Sequence, residues 1–292
     1  MRFFYTILSA LVLALLVDTQ SVSAQPLASG AFAPGESLTY TISFRSKVLI
    51  GANIGEVTSK VTTESVDGTP AWRISARAVT NNMARVIFKL DDRLNTWLAT
   101  SDGLPVQFAQ DINEGSWRTA SRYYYDWNND TALARYREMD GPWKDTNLEI
   151  DSTIRDYVAH FYSLRNSNIV NTMRKGESKR IGIILNDQIQ YISYTYLGPE
   201  EKDITGIGKV RTIKLECQLA LPNGAKASVE EYEKLAEGNI FYLWISNDRN
   251  YIPLYIETPT RYGVAKARLS SYSGLKYPWE SVLLGSKLKA EK

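Results

Sequence analysis

The feature that most constrains this chain is a period of two in its apolar residues. Leu38, Tyr40, Ile42 and Phe44 alternate with Thr39, Thr41 and Ser43, and Trp72, Ile74, Ala76 and Ala78 alternate with Arg73, Ser75 and Arg77. Tyr191 to Tyr196 is an aromatic and β-branched run, and Ile181 to Leu185 and Ile240 to Ile245 are similar. Successive side chains on a strand point to opposite faces, so each stretch has one dry side and one wet side. Turn clusters punctuate the strands: Asp67-Gly68-Thr69-Pro70, Ser101-Asp102-Gly103, Asn128-Asn129-Asp130, Pro222-Asn223-Gly224 and Ser246-Asn247-Asp248. Short strands with regular punctuation predict antiparallel β structure.

One segment breaks the pattern. Ile154, Tyr157, Val158, Phe161 and Leu164 recur at helical spacing. Asp151 or Ser152 can cap the start, and Arg165 suits the negative pole at the end. The spacing predicts a helix over 152–166, packed by one stripe against a sheet. It separates a first β-rich unit (32–150) from a second (173–275), with the helical segment at 151–167. The lysine-rich tail 277–292 lacks alternation and is read as a short helix or a mobile end. The two β units echo one another. Gly35-Glu36-Ser37 recurs as Gly176-Glu177-Ser178, and Leu104-Pro105-Val106 matches Ile252-Pro253-Leu254, with Gly115 and Gly263 ten residues beyond each proline. Asp92-Arg93 and Asp248-Arg249 form a third match. Duplication and independent reuse of common turns both remain open.

The front of the chain carries an address. Arg2 is followed by the apolar run Ile7 to Val17 and by Val22-Ser23-Ala24. An eleven-residue run rises about 16 Å as a helix, too short for a bilayer core of roughly 30 Å. A small-residue ending after such a run marks a signal peptide, with cleavage expected between Ala24 and Gln25. Gln25 stands where a lipoprotein signal would need cysteine. No later stretch approaches the length of a membrane span. The mature chain is expected to be exported, with the periplasm as its destination and no span of its own.

Composition removes several kinds of chemistry. Lys and Arg number 34 against 32 Asp and Glu, a net charge of +2, so no basic footprint for nucleic acid is present. One histidine and one cysteine exclude most zinc sites and any internal disulfide. Cys217 shares a strand face with Ile213, Leu215 and Leu219 and reads as a buried structural thiol. His160, the lone histidine, lies off the apolar stripe of the helix and reads as a boundary or surface residue. No G-x-S-x-G is present, and Gly206-Ile207-Gly208-Lys209 lacks the third glycine of a phosphate loop. Asp126, Asn128 and Asp130 take the first positions of a calcium loop, but Thr131 and Arg137 stand where its glycine and glutamate should be. Asp111 to Gly115 fails in the same way, with Arg122 at the twelfth position. Asp91 and Asp92 are adjacent on a strand or at its end and point apart. No cofactor, metal or catalytic residue is expected.

The order of Gly35 to Tyr40, Gly51, Gly55, Phe88 to Asp92, Phe161 to Arg165, Leu243 to Asp248, Ile252-Pro253-Leu254 and Gly263 resembles the bacterial exported family known as domain of unknown function 3108. The resemblance covers about Phe32 to Tyr272. That family brings no established catalytic or ligand residues. The closing tryptophan strand, turn, Ile252-Pro253 and Gly263 are also similar to the periplasmic lipoprotein carriers of the LolA/LolB type. That likeness implies an unclosed, strongly curved antiparallel sheet with helices plugging an apolar concavity. The expected fold is therefore mainly β, with curved antiparallel sheets as an open or half barrel, two similar repeats as one form of it, and one bridging α-helix. Trp117, Tyr123, Tyr125 and Trp127 crowd one segment and are candidates to meet a ligand, because their flat apolar rings carry polar tips. Packing of sheet faces is the competing role, and of three consecutive tyrosines at least one must leave the core. The basic cluster Arg174-Lys175 and Lys179-Arg180 reads as a solvated loop. The functional expectation is a non-catalytic envelope protein that binds or carries a lipid or other amphipathic ligand. The alternatives are an interaction module docking an envelope protein or a glycan, and a hydrolase built on two carboxylates.

Overall fold

The computed structural model describes residues 30–46, 51–86, 89–220, 240–260 and 263–283. The cleavage site expected between Ala24 and Gln25 lies outside them. No helix among the described residues is long and apolar enough to cross a membrane.

The alternating stretches become fourteen strands of one antiparallel sheet. They are β1 Ser37–Arg45, β2 Ala52–Val66, β3 Thr69–Thr80, β4 Asp91–Ala99, β5 Pro105–Glu114, β6 Trp117–Asp126, β7 Thr131–Glu138 and β8 Lys144–Glu149. After two helices, α1 Tyr157–Asn166 and α2 Ile169–Thr172, come β9 Ser178–Leu185, β10 Gln188–Ile204, β11 Gly208–Ala220, β12 Ile240–Ser246, β13 Pro253–Thr260 and β14 Gly263–Ser273. The order is β8-β7-β6-β5-β4-β3-β2-β1-β14-β13-β12-β11-β10-β9. The sheet is not closed, because β8 and β9 end it without pairing to each other. Its inner face carries the core. Leu38, Tyr40, Ile42 and Phe44 of β1 pack with Ile74 and Ala78 of β3, Leu94 and Leu98 of β4, and Leu215, Leu243, Ile256 and Leu269 of the later strands. Every apolar alternation therefore faces one interior.

Two of the three sequence echoes are echoes of geometry. At Gly35 (φ 95°) the glycine N–H donates to Val61 O, and Val61 N–H donates back to Glu36 O. At Gly176 (φ 87°) the same exchange runs between Gly176, Tyr196 and Glu177. Both glycines hold the left-handed conformation that lets such a turn enter a strand. The register of β4 on β5 shifts between Trp97 and Leu98 ahead of Pro105, and that of β12 on β13 between Trp244 and Ile245 ahead of Pro253. A further match escaped notice in the sequence. The Trp97 indole N–H bonds Glu64 of β2 beneath the Arg73 guanidinium of β3, and Trp244 bonds Glu200 of β10 beneath Lys214 of β11. β1–β6 and β9–β14 are thus six-strand meanders of one pattern, laid in tandem as β14 follows β13 onto β1. The Asp-Arg match does not belong to the set, for Asp92 lies on β4 and Asp248 in the turn after β12.

The helix differs from its expected form in three respects. It begins at Tyr157, because Asp156 rather than Asp151 or Ser152 caps it, accepting from Ala159 N–H. Asp151 instead folds back on Thr153 N–H. A second, one-turn helix, α2, follows it. And α1 is buried on all sides, because the sheet curls round it rather than lying against one stripe. The tail is also unlike its expectation over its described part. Tyr277 N–H bonds Asn250 Oδ1, Ser281 N–H bonds Asp248 Oδ2, and Val282 bridges Val210. The first two use side-chain acceptors in the β12–β13 turn and the third is a backbone bridge to β11, none of which alternation within the tail can reveal.

Candidate functional site

The interior round α1 is the place where chemistry concentrates. The helix lies within the curl of the sheet, nearest β4 and β9, and its polar side chains reach different strands. Asp156 Oδ2 accepts from Thr96 Oγ1 of β4 (2.9 Å) and from the Tyr125 hydroxyl of β6 (3.3 Å). The Tyr157 hydroxyl donates to Gln110 Oε1 of β5. His160 Nε2 lies 2.6 Å from Gly182 O of β9, and the Tyr162 hydroxyl lies 3.4 Å from Ser59 Oγ of β2. Arg165 closes the far end. Its guanidinium grips both oxygens of Glu36 at 2.6 and 2.7 Å and also donates to Asn250 O and Ala31 O. Between these ties the contact is apolar or aromatic. Phe108 stacks on Tyr123 and meets Tyr157 edge-on, and Phe32 sits edge-on against Tyr162.

Electrostatics in this space follow burial. Burial lifts the Asp156 carboxyl to about 6, although Ala159 N–H, Thr96 and Tyr125 all favour its anion. Burial raises Asp92 to about 7 against a hydrogen bond from Asn113 N–H, and the charge of Asp91 adds to the rise. Burial, with the nearby charge of Arg155, lowers His160 to about 3, so the ring is neutral and its Nε2–H donates to Gly182 O. Burial works to lower the Arg165 pKa, but the Glu36 carboxylate outweighs it and raises the guanidinium pKa. The expectation of a boundary or surface histidine is thereby corrected. His160 is wholly buried because the sheet closes over the flank of α1 that the apolar stripe leaves open.

The four aromatic candidates divide. Tyr123, Tyr125 and Trp127 gather at the N-terminal half of α1. Tyr123 packs on Phe108, Tyr125 reaches Asp156, and Trp127 stacks on Tyr125 with its indole N–H on Pro105 O. Trp117 lies at the other end of β6 with its indole N–H on Glu138. Of the three tyrosines in a row, Tyr124 is the one turned outward. Cys217 is buried on the inner face, as alternation predicts, and burial pushes its thiol well up. Asp91 and Asp92 do point apart. Asp91 meets Arg77 on the outer face, whereas Asp92 is 2% exposed within. Arg174 and Lys175 are exposed, as a solvated loop requires, while Lys179 and Arg180 belong to β9.

Sequence reasoning missed Glu36, Thr96, Gln110, Asp156 and Arg165 as residues of the interior. One signal was available: within Leu90, Asp92, Leu94, Thr96 and Leu98 the polar members occupy inward positions of an otherwise apolar series. Among the described residues no three His, Cys, Asp or Glu side chains are grouped to hold a metal ion.

Fold and site together define a β-barrel-like protein, left open along one seam and filled by a helix. Residues 39–270 match the family described as protein of unknown function DUF3108, and the chain belongs to that family. No catalytic activity is indicated for it. No curated protein matches the chain. Among solved structures it is similar to a β-barrel-like protein of DUF1849 from Brucella abortus, at 9% identity and a TM-score of 0.50, over 80% of this chain and 94% of that one. It is also similar to a protein described as exported, with a YmcC-like fold, from Bacteroides fragilis, at 11% identity and a TM-score of 0.36, over 83% and 99% of the two chains. A protein described as a lipoprotein from Parabacteroides distasonis gives 10% identity and a TM-score of 0.34, over 83% and 98%.

Proposed function

We propose that this is a non-catalytic protein of the bacterial cell envelope, exported to the periplasm, that binds or carries an apolar or amphipathic ligand between α1 and the inner face of the sheet. The observation that carries this reading is the seam. β8 and β9 share no ladder, and the segment that crosses between them bridges β9 at Arg155–Ile183 before α1 is held on the inner face of the sheet through side chains. Side-chain ties are individually modest and can be exchanged, whereas opening a strand ladder breaks many backbone bonds together. The interior so guarded is lined by aliphatic and aromatic residues from both meanders, with polar groups confined to a few inward positions. An acyl chain suits the first kind of surface and a polar headgroup the second.

The test is organic extraction of the purified protein followed by lipid mass spectrometry, with binding of a fluorescent acyl probe to the stripped protein. A co-purified lipid and saturable probe binding are expected. Absence of both would overturn the reading. A second reading, a structural or interaction module docking an envelope protein or glycan, is favoured by the completeness of burial, since α1 must shift before anything enters. In-cell crosslinking that captures a partner, together with an empty extract, would select it.

A further inference from the structure

The geometry points to one end of the first meander as a surface that rests on an anionic bilayer. In an antiparallel meander the turns alternate between two ends, so the β3–β4, β5–β6 and β7–β8 turns share an end, opposite the one where Arg165 meets Glu36. Three of the exposed large apolar side chains stand there: Met83 at 83% and Val86 at 88% exposure on the β3–β4 turn, and Met139 at 43% on the β7–β8 turn. Over residues 81–86, Asn81 Oδ1 accepts from Ala84 N–H and Arg85 N–H donates to Asn81 O, and Met83 and Val86 face outward there. In the β7–β8 turn, Met139 takes a positive φ of 55° while its N–H bonds Arg118 O.

Exposed cations accompany these tips. Arg85, Lys89, Arg118 and Arg137 are all exposed, and none has a carboxylate within ion-pair distance among the described residues. The acids nearest these cations in sequence are Asp91, which pairs with Arg77, Glu114, which is buried, Glu138, which accepts from the Trp117 indole, and exposed Asp140. Separate apolar tips set among basic groups that have no carboxylate partner, with Arg137 lying over the Trp143 ring, suit a lipid surface, where each tip enters the headgroup layer and each cation meets phosphate. A protein partner would need a contiguous patch of roughly 800 Å² instead. This contact goes beyond ligand binding and does not require it.

The test is co-sedimentation of the full mature chain with vesicles of phosphatidylglycerol and phosphatidylethanolamine, against vesicles of phosphatidylcholine alone. Binding is expected to the anionic vesicles, weakening as salt rises. Arg118→Gln with Arg137→Gln should lower partitioning by about fivefold for each charge removed. Met83→Ser with Val86→Ser should lower it severalfold with little change in salt dependence. These four positions are exposed, and an unaltered circular-dichroism spectrum checks that folding is intact. No binding to anionic vesicles, or binding unmoved by both pairs, overturns the inference. Acyl-probe binding retained beside lost vesicle binding would sink this inference alone, and the converse would sink the ligand reading alone.

Discussion

Arg165 and Glu36 stand 129 residues apart in the chain and meet in a two-pronged ion pair with both side chains wholly buried. The pair joins the last turn of α1 to the residue just before β1, and so fixes the helix to the start of the first meander. A buried charge without its partner is costly, on the order of 3–5 kcal/mol. Arg165→Met should therefore destabilise the protein by about that amount in urea unfolding, and by more than Glu36→Gln, because Arg165 also serves Asn250 O and Ala31 O. Equal losses from the two substitutions would contradict that ranking.

Asp92 should make the protein less stable in mild alkali. Its folded value, about 7, lies above the ordinary value of 3.8, so between those limits the folded state holds a proton that the unfolded chain has released. Stability from this group therefore rises as pH falls through 7 and is lost above it, with a slope approaching about 1.4 kcal/mol per pH unit. Asp156, at about 6, acts in the same direction over a lower window. Asp92→Asn keeps an acceptor for Asn113 N–H and should be more stable than wild type at pH 8, with the gap shrinking towards pH 5. Melting temperatures across that range decide the matter.

His160 opposes them. Its folded value, about 3, lies below the ordinary 6.5, so the unfolded chain takes up a proton first and stability falls as pH drops below 6.5. Because the chain has one histidine, a single ring resonance reports on it. The proton spectrum should show that resonance unmoved between pH 8 and pH 5. A midpoint near 6.5 would mean that the ring is open to water.

Cys217 offers a simpler measurement. Buried and with its thiol pKa well raised, it should be inert to a water-soluble disulfide reagent in the native protein and should react fully in denaturant. Rapid reaction of one thiol in the folded state would show that the inner face opens readily.

Much of the sheet was legible because alternation is local. Leu38 to Phe44 states which side of β1 is dry, whatever lies beyond it, and the turn residues state where the strand stops. The repeated pattern was half legible. Gly35 and Gly176 showed it because a left-handed turn demands glycine, while the Trp97–Glu64 and Trp244–Glu200 contacts span separate strands and leave no fixed spacing. The helix start was misplaced for a related reason. Asp151, Ser152 and Asp156 are all able caps, and what selected Asp156 was Thr96 and Tyr125, which reach it from other strands. The aromatic segment told least. Tyr123 and Tyr125 look alike in sequence, yet one fills the core beside Phe108 and the other meets a buried carboxyl.

By itself the amino-acid order determined the strands, their dry faces, the buried thiol and the presence of one helix, because each follows from the preferences of residues close together along the backbone. Only the closed-up fold decided that the strands form a single curled sheet, that the helix lies inside it, and that Glu36 pairs with Arg165 while its counterpart Glu177 stays in water. Those outcomes depend on which distant groups are brought within reach when the sheet curls, and the strength of a charge or hydrogen bond there is set by the water that the curling excludes.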